Sequence, residues 1–442
     1  MRFRRGRTAL SVLAIATTGV LIAGCSGGGG GDPSSSAGGG GGDSGELTFV
    51  YLGDADQQKA FNALFAEFNK KHPDIKLKAQ GIPAGNWADY SNTVATRLAG
   101  GQTIDIIQVA TEGQRLFASK GVLEDLGPYI KQDQQLVDDY WADISPKLKQ
   151  FNEEFASGPN GEVLFIPGGF NTMVMYLNRS VFEAAGVEIP ADGNWTWEEY
   201  LAAGHQIKDK TGAYIQAAGS GYFIDAMPWL TTNGASTFNA DWTVPTFNTP
   251  AAVASAEMAR QLVAEGLSPE PGGQFDVEAA YKQGKLASLT GGRWPNIGIR
   301  NLDMVDETVI VNWPTKVGNG SPVGWDAWNI AKNSKNKETA WTFIKFLMSK
   351  EAGEYFASIG GTIVPARESV AASSFFLDNA PEGSIRLSEA MDYATPIPSI
   401  DRGAEAQKVI EEAWLTIISG QGDAKSTLDA AQAKLESLVA NK

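Results

Sequence analysis

The only cysteine of the 442-residue chain, Cys25, follows Arg2, Arg4, Arg5 and Arg7 and an uncharged, largely apolar run from Leu10 to Ala23. That run is shorter than the about 20 residues a bilayer span takes, and it suits the hydrophobic part of a secretory signal. Cleavage before Cys25 would free its thiol and amine for acylation, the arrangement of a bacterial lipoprotein, so the residue is expected to be an anchor and not a catalyst. The competing readings are a free, buried cysteine behind an ordinary signal and a twin-arginine signal at Arg4 and Arg5, which the following residues fit poorly. Other reactive groups are scarce. His72 and His205 are the only histidines, both in helical or turn contexts, which gives little material for a histidine triad or a multi-histidine zinc site. From Glu46 onward neither G-x-S-x-G nor G-x-x-x-x-G-K-[ST] occurs, so neither a nucleophile elbow nor a phosphate loop is expected. No cofactor, metal or catalytic residue is assigned. What the chain does offer is twelve tryptophans. Trp141, Trp197, Trp341 and Trp414 lie in helical patterns and are read as packing. Trp87, Trp229, Trp242, Trp294, Trp325 and Trp328 lie in or beside loops containing Gly, Pro or Asn, where an indole can face a ligand.

The elements that must position these residues begin at Glu46. Residues 1–24 read as the signal, and residues 25–45 as the lipidated cysteine and a Gly/Ser tether. Such a composition stays flexible and spans roughly 25 Å. Glu46 to Leu52 alternates as a strand, and Phe61, Leu64, Phe65 and Phe68 recur at helical spacing. Ile75, Leu77 and Ala79 form a second strand, Tyr90 to Leu98 a second helix, and Ile104 to Val109 a buried parallel strand. This βαβαβ order predicts a doubly wound α/β lobe. Glu162 to Ile166 and Met173 to Leu177 read as strands around a Pro167-Gly168-Gly169 turn, and Lys285 to Leu289 as another. Thr196-Trp197-Glu198-Glu199 is a capping box, Thr249-Pro250 opens a helix, and Lys337 to Met348 is amphipathic. Nearly 400 residues exceed one compact core, so two lobes are expected.

Charge narrows the partners. The chain holds 36 Lys and Arg against 51 Asp and Glu, a net charge of −15, and loss of the four leader arginines makes it more acidic still. Nucleic acid and anionic lipid surfaces are therefore not expected as partners. With no second cysteine there is no disulfide, and stability must come from burial.

Four collinear segments, "LAGGQTIDIIQVATEG", "MVMYLNRSVFEAAGVEIPADGNWTWEEYLAAGHQIK", "YKQGKLASLTGGRWPNIGI" and "NIAKNSKNKETAWTFIKFLMSKEAGEYFA", resemble the extracellular solute-binding protein family that serves ATP-driven carbohydrate importers, the group of the maltose- and trehalose-binding proteins. The likeness covers nearly all of Glu46 to Lys442; Ile104 departs from it, where many relatives place a proline before the aspartate that is kept here as Asp105. It implies two α/β lobes of the type II periplasmic-binding-protein kind, residues 46–167 with 323–364 and residues 168–322 with 365–442. The chain would cross the hinge near Pro167 to Asn171, Pro322 to Gly324 and Ile363 to Arg367. It implies a monomer, held outside the cell membrane by its lipid alone, that captures a neutral sugar or oligosaccharide and passes it to a membrane permease with its own ATPase.

Sugar recognition sets flat rings against the C–H face of a pyranose and puts carboxylates, amides or Arg on its hydroxyls. On that basis Trp294 in "GGRWPNIG" and Gly324-Trp325 match stacking positions of the family, Tyr222 in "GSGYF" resembles a cleft aromatic of the second lobe, and Trp87 and Trp229 are further candidates. Asp54 and Asp56 in the loop after the first strand, Gln108 at a strand end, Glu112 seven residues after Asp105, Asn171 at a crossing, and Asp326 are the polar candidates. Arg367 reads as a hinge residue more than a ligand contact. Three alternatives stand: a non-sugar ligand such as a glycerophosphodiester, polyol or amino compound; a surface-anchored glycoside hydrolase; and a purely structural envelope lipoprotein. A phosphate ligand would need cations, and only Arg115, Arg293 and Arg367 lie near the candidate loops.

Overall fold

The computed structural model describes residues 45–53 and 55–440, apart from the side chain of Asp56. The expectations for Cys25, the leader, the tether and Asp54 lie outside these residues, as does that for the Asp56 side chain. Among the described residues ten strands appear in chain order: β1 (Gly45–Leu52), β2 (Ile75–Ile82), β3 (Ile106–Ala110), β4 (Ile166–Thr172), β5 (Val174–Asn178), β6 (Ser288–Gly291), β7 (Thr308–Asn312), β8 (Ser321–Ile330), β9 (Val364–Pro365) and β10 (Ala394–Pro396). Seven make one sheet in the order β2-β1-β3-β8-β4-β9, with β10 on β8, and the other three make a small sheet in the order β6-β5-β7. The large sheet starts as the expected parallel β2-β1-β3 unit. β8 then inserts antiparallel between β3 and β4, and the small sheet is antiparallel throughout.

The pattern of apolar residues explains the packing. Phe61, Leu64, Phe65 and Phe68 all point inward from the helix Ala55–Lys71. The three rings meet Phe49 of β1 and Phe343 of the helix Lys337–Met348 as a set of edge-on and tilted rings, an arrangement that favours the ring quadrupoles. Burying each ring contributes about 1.5–3 kcal/mol. Asp105 explains how β1 and the end of β8 stay in register: its buried carboxylate accepts from Thr48 N at 2.8 Å and from Ser334 Oγ. The capping box forms, Thr196 and Glu199 exchanging bonds at the start of the helix Trp197–Thr211.

Two hydrophobic cores result. The first lies around the large sheet and one face of β5 and β7. The second takes the other face of β5, with Trp197, Trp229, Trp313 and Trp414 and the helices Pro250–Ala264, Gly403–Ile418 and Ala424–Ala440. Alternation along β5 divides its side chains, Val174 and Tyr176 to one core and Met175 and Leu177 to the other.

One local expectation fails. Pro167-Gly168-Gly169 is not a turn: it lies inside β4, where a register shift between Pro167 and Gly169 takes up the distortion and the Tyr140 hydroxyl donates to the Pro167 carbonyl. Residues 162–165 are consequently outside any strand. The three segments expected to cross the hinge are strands β4, β8 and β9 of the large sheet.

Candidate ligand site

β3, β4 and β8 set five of the predicted residues, Gln108, Asn171, Gly324, Trp325 and Asp326, on one sheet. Asn171 lies directly opposite Gly324, Phe170 opposite Trp325 and Gly169 opposite Asp326, while Gln108 of β3 lies opposite Trp328. Directly opposed residues share a face, and successive residues alternate. Asn171, Gly324, Asp326 and Gln108 therefore fall on one face, and Trp325 on the other.

The consequence for Trp325 is decisive. It is 0% exposed, lies parallel to Phe151, and its Nε1 donates to Asn152 Oδ1. The indole expected to wall a ligand is instead part of the first core. Trp229 has the same fate in the second: at 1% exposure it meets Trp197 and Trp313 edge-on. Tyr222 is also interior, its hydroxyl 2.6 Å from Thr237 Oγ1 and donating to the Pro398 carbonyl at 3.1 Å. Arg367 is tied to Met348 O, Asp143 and Asp139 and lies over the Tyr140 ring; this is a structural role. Trp87 opens the helix Trp87–Ala99, half-buried and edge-on to Tyr90. None of these five residues lines the large cavity described below.

Trp294 differs. It directly precedes the short helix Pro295–Asn301, and its half-buried indole faces Phe223, with ring centroids 6.4 Å apart. The neighbouring backbone is fixed by Asn171, whose Oδ1 accepts from Arg293 N at 2.8 Å and whose Nδ2 donates to Thr362 O. Gly292 makes this possible, since a Cβ there would come within 2.4 Å of Asn171 Oδ1 and 2.6 Å of the Trp294 ring. Gly324 approaches Phe223 from β8. Asn171, Phe223, Gly324 and Trp294 thus meet where β8, of the large sheet, faces residues packed on the second core.

Trp294 also walls a cavity of 460 Å³, within the usual range for small-molecule sites. Its other walls are the loop Gln216 to Gly219, Ile224 and Asp225 of the helical turn Tyr222–Ala226, the segment Pro269 to Gly273, Phe275, Glu278, and Ser288 to Thr290. Carboxylates come from Asp225, Glu270 and Glu278, hydroxyls from Ser288 and Thr290, and no Lys, Arg or His lines it. Asp225 is held by the Gly221 N–H at 2.8 Å, while burial, only partly opposed by that bond, pushes its carboxyl up to about 7. Phe275, Glu278 and Asp225 were missed from sequence. Asp225, three residues past Tyr222 in a Gly-rich stretch, carried the one readable signal.

Gln108 and Asp326 line a different space. Their cavity is 40 Å³, closed by Gly168, Trp328, Phe356 and Ile363, far below the ~300 Å³ at which ligand pockets begin. Gln108 Nε2 donates to Asp326 Oδ2, leaving Gln108 Oε1 and Asp326 Oδ1 buried without partners. Burial pushes Asp326 up to about 7, against the pull of the Gln108 bond. Its unfolded carboxyl titrates near 4, so the folded state holds an extra proton between about pH 4 and 7. Stability from this group therefore falls as pH rises through that window and is flat above it. Asp326→Asn is expected to stabilise the protein by about 1–2 kcal/mol at pH 8 and to shrink the pH 5 to pH 8 difference in urea midpoint; an unchanged difference would contradict this.

Glu112 opens the helix Thr111–Lys120 and lines a third cavity, of 340 Å³, with Asn92, Asp401, Arg402 and Gly403. Its Oε2 is buried without a partner, and desolvation pushes the carboxyl up to about 7.

This geometry stands beside known proteins. Residues 54–354 match the model of the bacterial extracellular solute-binding protein family. The chain belongs to this family. A Brucella abortus (strain 2308) protein named only as a binding protein is 23% identical over 399 residues, 86% of this chain and 89% of that one. The arabinooligosaccharide-binding protein of Bacillus subtilis (strain 168) is 25% identical over 328 residues, 70% of each chain. Among solved structures, an ABC substrate-binding protein of Listeria monocytogenes in complex with cycloalternan superposes with a TM-score of 0.76 at 22% identity, covering 90% of this chain and all of that one. The extracellular solute-binding protein described here therefore has the two-lobed α/β fold of type II periplasmic binding proteins. Its family is one of binding proteins, and among the described residues no helix is long and apolar enough to cross a membrane.

Proposed function

We propose that this solute-binding protein is the substrate-binding component of an ABC importer and that it captures a neutral sugar or oligosaccharide. The observation that carries the reading is the 460 Å³ cavity, walled by the Trp294 indole and supplied with carboxylates and hydroxyls but no cation. An indole face suits the C–H face of a sugar ring, and carboxylates accept strongly from hydroxyls. The B. subtilis relative is named for an arabinooligosaccharide, and the Listeria neighbour was solved in complex with cycloalternan, which supports the same class.

The fate of the three candidate cations argues against a phosphodiester. Arg293 is buried and donates to the Ile363 and Ala357 carbonyls, Arg367 is paired with Asp139 and Asp143, and Arg115 lies against Trp242 and Asp401. None reaches the cavity.

Closure of two lobes, residues 46–167 with 323–364 on residues 168–322 with 365–442, brings the first lobe over the Trp294 cavity, whose lining comes wholly from residues 216–302 of the second lobe, and the sugar favours the closed state through the contacts this adds. The ligand leaves unaltered. Cys25 carries the lipid that holds the protein on the outer face of the cell membrane, with the Gly/Ser segment as tether, where the monomer meets a permease. A thermal-shift screen of neutral mono- and oligosaccharides against glycerophosphodiesters tests the reading, since ligand well above its dissociation constant stabilises by a few kcal/mol. A shift with a sugar is expected; a shift with the phosphodiester alone would overturn it.

A further inference from the structure

Trp242 has a backbone conformation that bulky residues rarely adopt. Its φ is 60°, in the left-handed region where a Cβ meets the following carbonyl. The loop that imposes this is tightly bonded. Phe238 and Pro245 form an antiparallel bridge, the Asn239 N–H donates to Val244 O, and Asn239 Oδ1 accepts from Thr243 N and Val244 N at 2.9 and 2.8 Å. Such strain persists only where the surroundings over-determine it, and it directs attention to what the side chain gains.

The side chain meets residues of the other half of the molecule. Trp242 belongs to the second core at 4% exposure. Its ring stacks on Phe155 with centroids 4.0 Å apart and planes 13° from parallel, and the Arg115 guanidinium lies 5.7 Å from its centroid. Phe155 ends the helix Pro146–Phe155 and is half-buried against both cores. Arg115 lies on the helix Thr111–Lys120, which follows β3 of the large sheet, and also approaches Asp401 at 4.0 Å, just before the second-core helix Gly403–Ile418. One turn earlier the Glu112 carbonyl abuts Gly403. Two second-core loops therefore meet the same surface beside the large sheet, and the Phe155–Trp242 stack is an apolar contact across that junction.

We infer that Trp242 is a positioning residue, an aromatic latch that holds the two halves closed without touching the ligand. Its ring is already occupied by Phe155 and Arg115, and it does not line the 460 Å³ cavity. A latch acts by setting the fraction of molecules in the binding-competent form, and apparent affinity scales with that fraction. The inference rests on the closure mechanism proposed above, but its structural readout needs no ligand.

Solution X-ray scattering of the ligand-free protein and sugar titration should be made on Trp242→Gly, Trp242→Phe, Phe155→Ala and the double variant Trp242→Gly/Phe155→Ala. Glycine removes the ring while relieving the backbone strain. The radius of gyration is expected to grow in Trp242→Gly and in Phe155→Ala, and the apparent dissociation constant to rise at least tenfold, which is about 1.4 kcal/mol. The double variant should be no worse than the poorer single one, because both remove one contact, and Trp242→Phe should restore affinity to within about threefold. If Trp242→Gly does not fold, Phe155→Ala carries both readouts. Wild-type scattering and affinity in the ring-removing variants, or additive losses in the double variant, would overturn the latch. If no sugar binds the wild type while the variants still expand, the latch stands and the sugar reading falls.

Discussion

Trp294→Ala lowers the affinity for the captured sugar by about thirtyfold or more, equivalent to ~2 kcal/mol, the scale at which a buried aromatic anchor dominates an interface. The ring is half-buried, forms one wall of the cavity and faces Phe223 across its free edge. Truncating it removes the only indole of that cavity and opens the seam beside Gly292 and Asn171. The ligand-free protein should lose only about 1–2 kcal/mol of stability, because the ring is not fully buried. A sugar titration beside a urea unfolding curve separates the two effects. Equal affinities for the variant and the wild type would remove Trp294 from the site.

Arg367→Met gives the opposite pattern, a large loss of stability with little loss of affinity. The guanidinium is nearly buried, donates to Met348 O and Asp143 Oδ2 at 2.8 and 2.9 Å, and lies 5.0 Å from the Tyr140 ring centroid. Asp139, its other partner, is largely exposed and adds little. Burial raises the Asp143 carboxyl, but Ser369 and Arg367 together outweigh it and hold the group below its ordinary value. Removing Arg367 leaves that carboxylate half-satisfied at the junction of β9 with the helix Glu368–Ala371. The expected cost is about 3 kcal/mol in urea unfolding, with the sugar dissociation constant measured in the cold within about threefold of the wild type. A tenfold loss of affinity at intact stability would return Arg367 to the binding site.

What the sequence showed and hid follows from the range of the forces involved. Periodicity revealed the helix Ala55–Lys71, β1, β2 and β3, because each buries a face that repeats within a few residues. The capping box at Thr196 was equally local. Pro167-Gly168-Gly169 was misread because its strand character comes from β8, more than 150 residues away, and no local rule overrides Pro and Gly. The tryptophans divide in the same way. Trp294 lines a cavity. Trp229 and Trp325 lie among Gly, Pro and Asn yet point into cores, because β8 alternation and the Trp197–Trp229–Trp313 contacts decide their direction. Gln108 and Asp326, separate candidates in the sequence, share a buried bond, and the space they line is too small for a sugar. Phe275 and Glu278 join the cavity only through tertiary packing.

Calorimetric titration of the protein with the oligosaccharide that gives the largest thermal shift tests the central claim most directly. One sugar per chain, a negative heat-capacity change from burial against Trp294, and recovery of the intact oligosaccharide afterwards are the predicted results. No binding heat with any neutral sugar, or recovery of shortened products, would contradict the account.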